Sequence, residues 1–203
     1  PSYMEREGSS LIYMMNSLIA QSQKKQSGFY LDDLTKLQAV LLELEQQKQP
    51  TLLLGVSFAL LEFTEKYSMK LSSTIIMDTG GMKGRRKELT REELHKTLQK
   101  GFGTSSIHSE YGMTKLLSQA YSKGNGRFEC PNWMRVTPFE TNDPFAPSQT
   151  EKIGRLNIID LANQESCAFI ATDDLGRLFQ DGSFEVMGRL DASDIRGCNL
   201  LVY

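Results

Sequence analysis

The chain has 203 residues, of which 39% are hydrophobic and 24% charged, and a formal net charge of −2. These proportions fit an ordinary soluble domain with a sizeable core and leave no general drive toward nucleic acid or an anionic membrane. Three widely spaced cysteines, Cys130, Cys167 and Cys198, argue against a disulfide framework and fit a reducing cytoplasm. His95 and His108 show no zinc-ligand spacing, so no metal site of their own is expected.

Apolar residues at helical spacing predict a helix over 10–21, capped by Ser9 or Ser10. A second is predicted over 31–47, with Leu34, Leu37, Leu41, Leu42 and Leu44 inward and Asp32 or Asp33 as its cap, stopped by Pro50. Residues 51–56 read as a buried strand, after which Ser57 caps a helix to Tyr67. The apolar run over 51–61 is too short to span a bilayer and is interrupted by Gly55 and Ser57. Residues 73–77 form a further strand ending at Asp78, Thr79, Gly80 and Gly81. The basic run Lys83, Arg85, Arg86 and Lys87 reads as a solvated turn. Thr90 and Glu93 form a capping box for a helix over 90–100, and a strand over 104–108 follows. This alternation is the pattern of a parallel α/β sheet, whose ligands bind at the carboxyl ends of the strands.

Beyond residue 120, Gly124, Gly126, Pro131, Pro138, Pro144 and Pro147 punctuate the chain. Short strands are expected over 153–160, 168–172, 184–187 and 199–202, with a hairpin turn at Gly182. The expected division is an α/β part, 1–148, followed by a small antiparallel β subdomain, 149–203.

Three clusters carry candidate chemistry. Tyr111-Gly112-Met113-Thr114 places an aromatic, a close-approach glycine and a hydroxyl just after a strand. Thr172-Asp173-Asp174-Leu175-Gly176 places a carboxylate where it can accept from a sugar diol. Gly188-Arg189-Leu190-Asp191 adds a guanidinium fork. Taken singly, these read better as a turn, an Asp-Gly β-turn and a surface ion pair.

In order, with Gly80-Gly81 ahead of them and Lys115 following Thr114, they resemble the adenylate-forming superfamily of acyl- and aryl-CoA ligases, luciferases and peptide-synthetase adenylation domains. Within it the chain is most similar to the acyl-protein synthetases of the bacterial luminescence fatty acid reductase, with phenylacetate–CoA ligases next. Leu54-Gly55-Val56-Ser57, Thr79-Gly80-Gly81-Met82-Lys83-Gly84 and Arg196-Gly197-Cys198 carry that likeness. The resemblance implies ATP and Mg²⁺ as cofactors and activation of a carboxylic acid, of the fatty class, as its acyl-AMP. It implies that Gly80, Gly81, Tyr111 and Gly112 flank the adenine. Thr114 would meet the α-phosphate, Asp174 and Arg189 the ribose, and Asp191 would be the hinge position. Cys198, beside Arg196, would take the acyl group, or be a core cysteine; Cys130 and Cys167 read as structural. A carrier, reductase or transferase protein is the implied partner.

Two departures stand against full activity. Lys115 replaces the family's metal-holding glutamate, and no Ser/Thr/Gly-rich pyrophosphate loop is present; Gly8-Ser9-Ser10 is too short. The start at Pro1 adds to the expectation of an N-terminally truncated member, about the C-terminal two-thirds of such an enzyme. The alternatives are a CoA ligase and a non-catalytic nucleotide- or partner-binding module.

Overall fold

The computed structural model describes residues 9–31, 33–80 and 89–190. Asp32, Gly81, the basic run, Asp191, Arg196, Cys198 and the strand expected over 199–202 lie outside the described residues. The chain forms two compact units, Pro1–Thr51 and Leu52–Tyr203.

The first unit holds helices α1 (Ser10–Ser22) and α2 (Leu34–Gln46). Ser9 caps α1 by accepting from the Ile12 amide at 3.4 Å, and Asp33 caps α2 by accepting from the Lys36 amide at 2.9 Å. Leu41 and Leu44 are the buried residues of α2, whereas Leu42, expected inward, is exposed. A 100° step from Leu41 carries it off the buried face.

The second unit is built on two sheets. The first orders β1 (Thr51–Val56), β2 (Thr74–Thr79), β3 (His108–Tyr111) and β4 (Ala120–Ser122) side by side. β2 and β3 run parallel, and β4 turns back antiparallel to β3. Helices α3 (Ser57–Lys66) and α4 (Arg91–Phe102) follow β1 and β2, and pack through Phe63 and Phe102, whose rings stack 5.9 Å apart. The second sheet is an antiparallel meander, β5 (Met134–Phe139), β6 (Gly154–Asp160), β7 (Phe169–Leu178) and β8 (Phe184–Arg189). This is the expected class: a mixed, partly parallel sheet with helices, then a separate antiparallel sheet.

Several local expectations shift. Ser57 opens α3 but does not cap it; its hydroxyl donates to the Gly80 carbonyl at 2.6 Å instead. β3 begins at His108, because Gly103 closes α4 in the left-handed region (φ 59°) and the Thr104 amide bonds back to Gln99. The Thr90–Glu93 capping box is present. β5 was not anticipated, because Pro138 reads as a breaker; as an edge strand it tolerates a residue with no N–H to give. β7 runs on through Asp173, Asp174 and Gly176, where a turn was expected. The hairpin at Gly182 (φ 82°) does turn as expected, the Phe179 amide bonding the Ser183 carbonyl.

One core joins the two sheets. Tyr111 and Ala120 of the first pack with Phe128, Met134, Val136, Leu156, Ile158, Ile170, Phe184 and Val186. Burying a side chain the size of Phe128 or Phe184 is worth about 1.5–3 kcal/mol, so these contacts anchor β3 to the meander.

Candidate functional site

Parallel pairing sets Asp78 beside Ser109 and Thr79 beside Glu110 at the carboxyl ends of β2 and β3. Gly80 follows with φ 71°, a backbone region that favours glycine. The Thr79 hydroxyl donates to Glu110 Oε2 at 2.5 Å. Burial raises the Glu110 carboxyl above its ordinary range, the Asp78 charge adds to this, and the Thr79 bond opposes it. Behind this pair, Ser109 Oγ donates to Asp78 Oδ1 at 2.5 Å, and His95 Nε2 lies 3.1 Å from Asp78 Oδ1 and 3.2 Å from Ser109 Oγ. Glu110 and the His95 cluster are the residues sequence reasoning passed over. The strand pairing that assembles them joins segments thirty-one residues apart, which no local pattern reveals.

Tyr111 is 3% exposed, its ring 5.9 Å from Phe128 and 5.4 Å from Phe184. The resemblance assigns this ring to the base; here its faces belong to the core, and its phenol donates to Asp174 Oδ2 at 2.7 Å. Gly112 is held close: a Cβ there would stand 3.2 Å from Glu110 Oε1 and 3.3 Å from Gln119 Cγ. Thr114 and Lys115 occupy an exposed turn.

Asp174 is paired in register with Arg189. Arg189 Nε lies 3.7 Å from Asp174 Oδ1, and its Nη2 3.6 Å from Asp173 Oδ2. These are ion-pair rather than hydrogen-bond distances. Burial raises the Asp174 carboxyl above the usual carboxylate range; the Tyr111 hydrogen bond and the Arg189 charge pull it down, and Asp173 pushes it up. Arg189 steadies the same acid that Tyr111 orients.

Gly80, Gly112, Tyr111, Asp174 and Arg189 thus form a continuous chain of neighbours: strand pairing links Gly80's strand to Tyr111's, the phenol links Tyr111 to Asp174, and register links Asp174 to Arg189. Thr114 and Lys115 hang from the same loop. Gly81 and Cys198 lie outside the described residues.

The cysteines differ from expectation in one respect. Cys130 is half-buried, its thiol pushed up to about 11 by burial against an opposing backbone hydrogen bond from Val136. Cys167 is exposed in a loop rather than within a strand, its Sγ–H donating to the Phe169 carbonyl at 3.1 Å. The donor set for Mg²⁺ is poor. No cluster of three or more His, Cys, Asp or Glu able to hold a metal occurs among the described residues. Lys115 adds a cation where the resemblance requires a carboxylate. The described residues do not fit that ion. Among them, no helix is long and apolar enough to cross a membrane.

No family model and no curated protein matches the sequence. Solved structures do. An ATP-bound MatB from Rhodopseudomonas palustris superposes with a TM-score of 0.55 at 15% identity, over 77% of this chain and 33% of that one. The O-succinylbenzoate coenzyme A synthetase MenE from Bacillus subtilis, in complex with AMP, gives 0.52 at 19% identity, over 76% and 34%. McyG A-PCP complexed with phenylalanyl-adenylate gives 0.52 at 17%, over 78% and 33%. The chain spans about a third of the length of these structures, and it shares the fold of the corresponding part of each.

Proposed function

We propose that this chain supplies part of the nucleotide site of an ATP-dependent enzyme that activates a carboxylic acid as its acyl-adenylate. The observation that carries the reading is the Tyr111–Asp174–Arg189 connection, which brings the end of β3 and the β7–β8 pair, sixty-three residues apart, into contact. Asp174 accepts from the ribose diol, with Arg189 beside it. Gly80 and Gly112 let a purine approach backbone, and Glu110 offers a carboxylate at the rim of the base. Thr114, at the tip of its turn, donates to the α-phosphate. The substrate acid attacks the α-phosphorus in line and pyrophosphate leaves, so what the residues contribute is positioning and charge.

The finer reading rests on the resemblance. The acid is a fatty acid, the acceptor is Cys198 of the chain itself, and a carrier, reductase or transferase protein takes the acyl group onward. The division at 148/149 is the boundary proposed between the nucleotide-binding α/β part and the β subdomain.

Calorimetric titration with AMP tests the core of the reading. Saturable binding that Asp174→Ala removes supports it; no binding at millimolar AMP sinks it. Mass spectrometry after incubation with ATP and fatty acids then separates an adduct on Cys198 from free acyl-CoA, the product of a phenylacetate–CoA ligase-like enzyme. Lys115 favours a second reading, a module that binds nucleotide without turning it over. In the full-length protein, Lys115→Glu is expected to bring metal-dependent ATP–pyrophosphate exchange if that position alone is broken; no gain favours the module.

A further inference from the structure

Asp160, at the end of β6, is fully buried, at 0% exposure. Its Oδ2 accepts from the Leu117 and Ser118 amides at 2.9 and 3.0 Å. Its Oδ1 accepts from the Ser118 hydroxyl at 2.7 Å and from the Ala162 amide at 3.1 Å. Burial alone would raise this carboxyl, but the bonds from Ser118, Leu117 and Ala162 outweigh it and hold the group below its usual range. The charge is balanced by three donors of the segment between β3 and β4 and by the Ala162 amide of the turn that follows β6. Asn163, three residues on and 3% exposed, donates through Nδ2 to the Lys115 carbonyl at 2.7 Å and to the Cys167 carbonyl at 2.8 Å. The Ser166 hydroxyl donates to its Oδ1, which fixes the amide's orientation. Trp133 Nε1 closes the cluster on Ser118 Oγ at 2.9 Å.

Five of these bonds fall on the segment that joins β3 to β4: three from it to Asp160, one from Asn163 to it and one from Trp133 to its Ser118. The segment has no regular structure of its own, and its backbone groups must be satisfied by something. A neutral partner would meet that need; an ionised carboxylate taking three donors from the segment holds it far more firmly. The other end is fixed by Tyr111 in the core. Thr114 and Lys115 are therefore the exposed tip of a loop clamped at both feet.

We propose that Asp160 and Asn163 are positioning residues that hold the Thr114–Lys115 tip in place to engage a nucleotide's phosphate, while making no contact with the nucleotide themselves. The proposal rests on the nucleotide reading above. It predicts a selective defect: contacts to phosphate depend on the clamp, and contacts to base and ribose, made by other segments, do not.

The test is calorimetric binding of AMP and of adenosine to the 203-residue chain, with Asp160→Asn and Asn163→Asp alongside. Asp160→Asn turns an amide NH₂ toward N–H and O–H donors, and Asn163→Asp turns an oxygen toward two carbonyls. Each variant is expected to lose about tenfold in AMP affinity, with adenosine held within about twofold. Equal weakening of both ligands, or unchanged AMP binding, overturns the proposal. So does failure of both variants to unfold cooperatively, since the cluster would then serve the fold alone; if one fails, the other decides. Wild-type protein that binds neither ligand overturns the nucleotide reading itself, and this proposal with it. Wild-type binding with equal loss of both ligands in the variants removes only the clamp.

Discussion

The phenol of Tyr111 donates to Asp174 Oδ2 at 2.7 Å, a bond that ties the parallel sheet to the meander. The ring around it packs against Phe128 and Phe184, which stack on one another. A tyrosine so placed acts through the acid it orients. Tyr111→Phe keeps the ring and its packing and removes only the donor. Loss of a hydrogen bond to a charged group costs about 1.5–3 kcal/mol, read as a lower denaturation midpoint. The Asp174 carboxyl, already raised by burial, is expected to titrate higher still, because a bond that favours its ionised form is gone. Carboxyl NMR of the variant measures this without any nucleotide. An unmoved Asp174 titration rejects the coupling.

Glu110 makes a demand on pH of the same sign as Asp174, both carboxyls being raised by burial. Its folded-state carboxyl is raised by burial, so the folded chain holds this proton more tightly than the unfolded chain. Stability therefore falls as pH rises from the unfolded value, about 4.3, through the raised folded one, and the cost stays in place above it. Glu110→Gln removes the charge and still offers an oxygen to Thr79. The variant is expected to melt higher than wild type at pH 7.5, with the gap closing toward pH 4. Calorimetric scans at the two pH values decide; a gain of the same size at both would show that charge is not the cause.

Much of the architecture was legible because it is local. The Thr90–Glu93 capping box, the Ser9 cap and the Gly182 hairpin are written in residues three or four apart, and each forms as read. β5 was illegible because whether Pro138 breaks a strand depends on the strand being at an edge, which is a property of the whole sheet. Of the candidate site, Asp174 and Arg189 were legible as chemistry, and strand register then makes them neighbours. Glu110, Asp160 and Asn163 were not. Their significance comes from partners thirty-one to forty-eight residues away along the chain, and no spacing rule carries that information.

Gly176 marks a place where the two strands of the site approach too closely for a side chain. A Cβ there would stand 2.0 Å from the Glu185 carbonyl oxygen, which is backbone and cannot swing aside. The pairing slips between Leu175 and Gly176, next to the Asp174–Arg189 pair. Gly176→Ala is expected to push β8 from β7, at a cost of about 3 kcal/mol or more, and to weaken AMP binding through Arg189. Chemical denaturation and titration of the same sample test both halves. A variant as stable as wild type would mean that the strands can separate freely at this point.

The two described cysteines, Cys130 and Cys167, differ in environment, and that bears on which could carry an acyl group. With its thiol raised to about 11, Cys130 is thiolate in only about one molecule in a thousand at pH 8, and the thiolate is the nucleophile. Cys167 is exposed and free. Iodoacetamide at pH 8 is expected to modify Cys167 in the native chain and to reach Cys130 only after denaturation, as peptide mass spectrometry will show. Accessibility does not make Cys167 the acceptor, since its loop lies beside the clamp at Asn163 and not among the Gly80, Gly112 and Asp174 contacts. The Cys130→Ser, Cys167→Ser double variant should therefore retain any acyl adduct formed with ATP and a fatty acid. An adduct lost in that variant moves the acceptor away from Cys198.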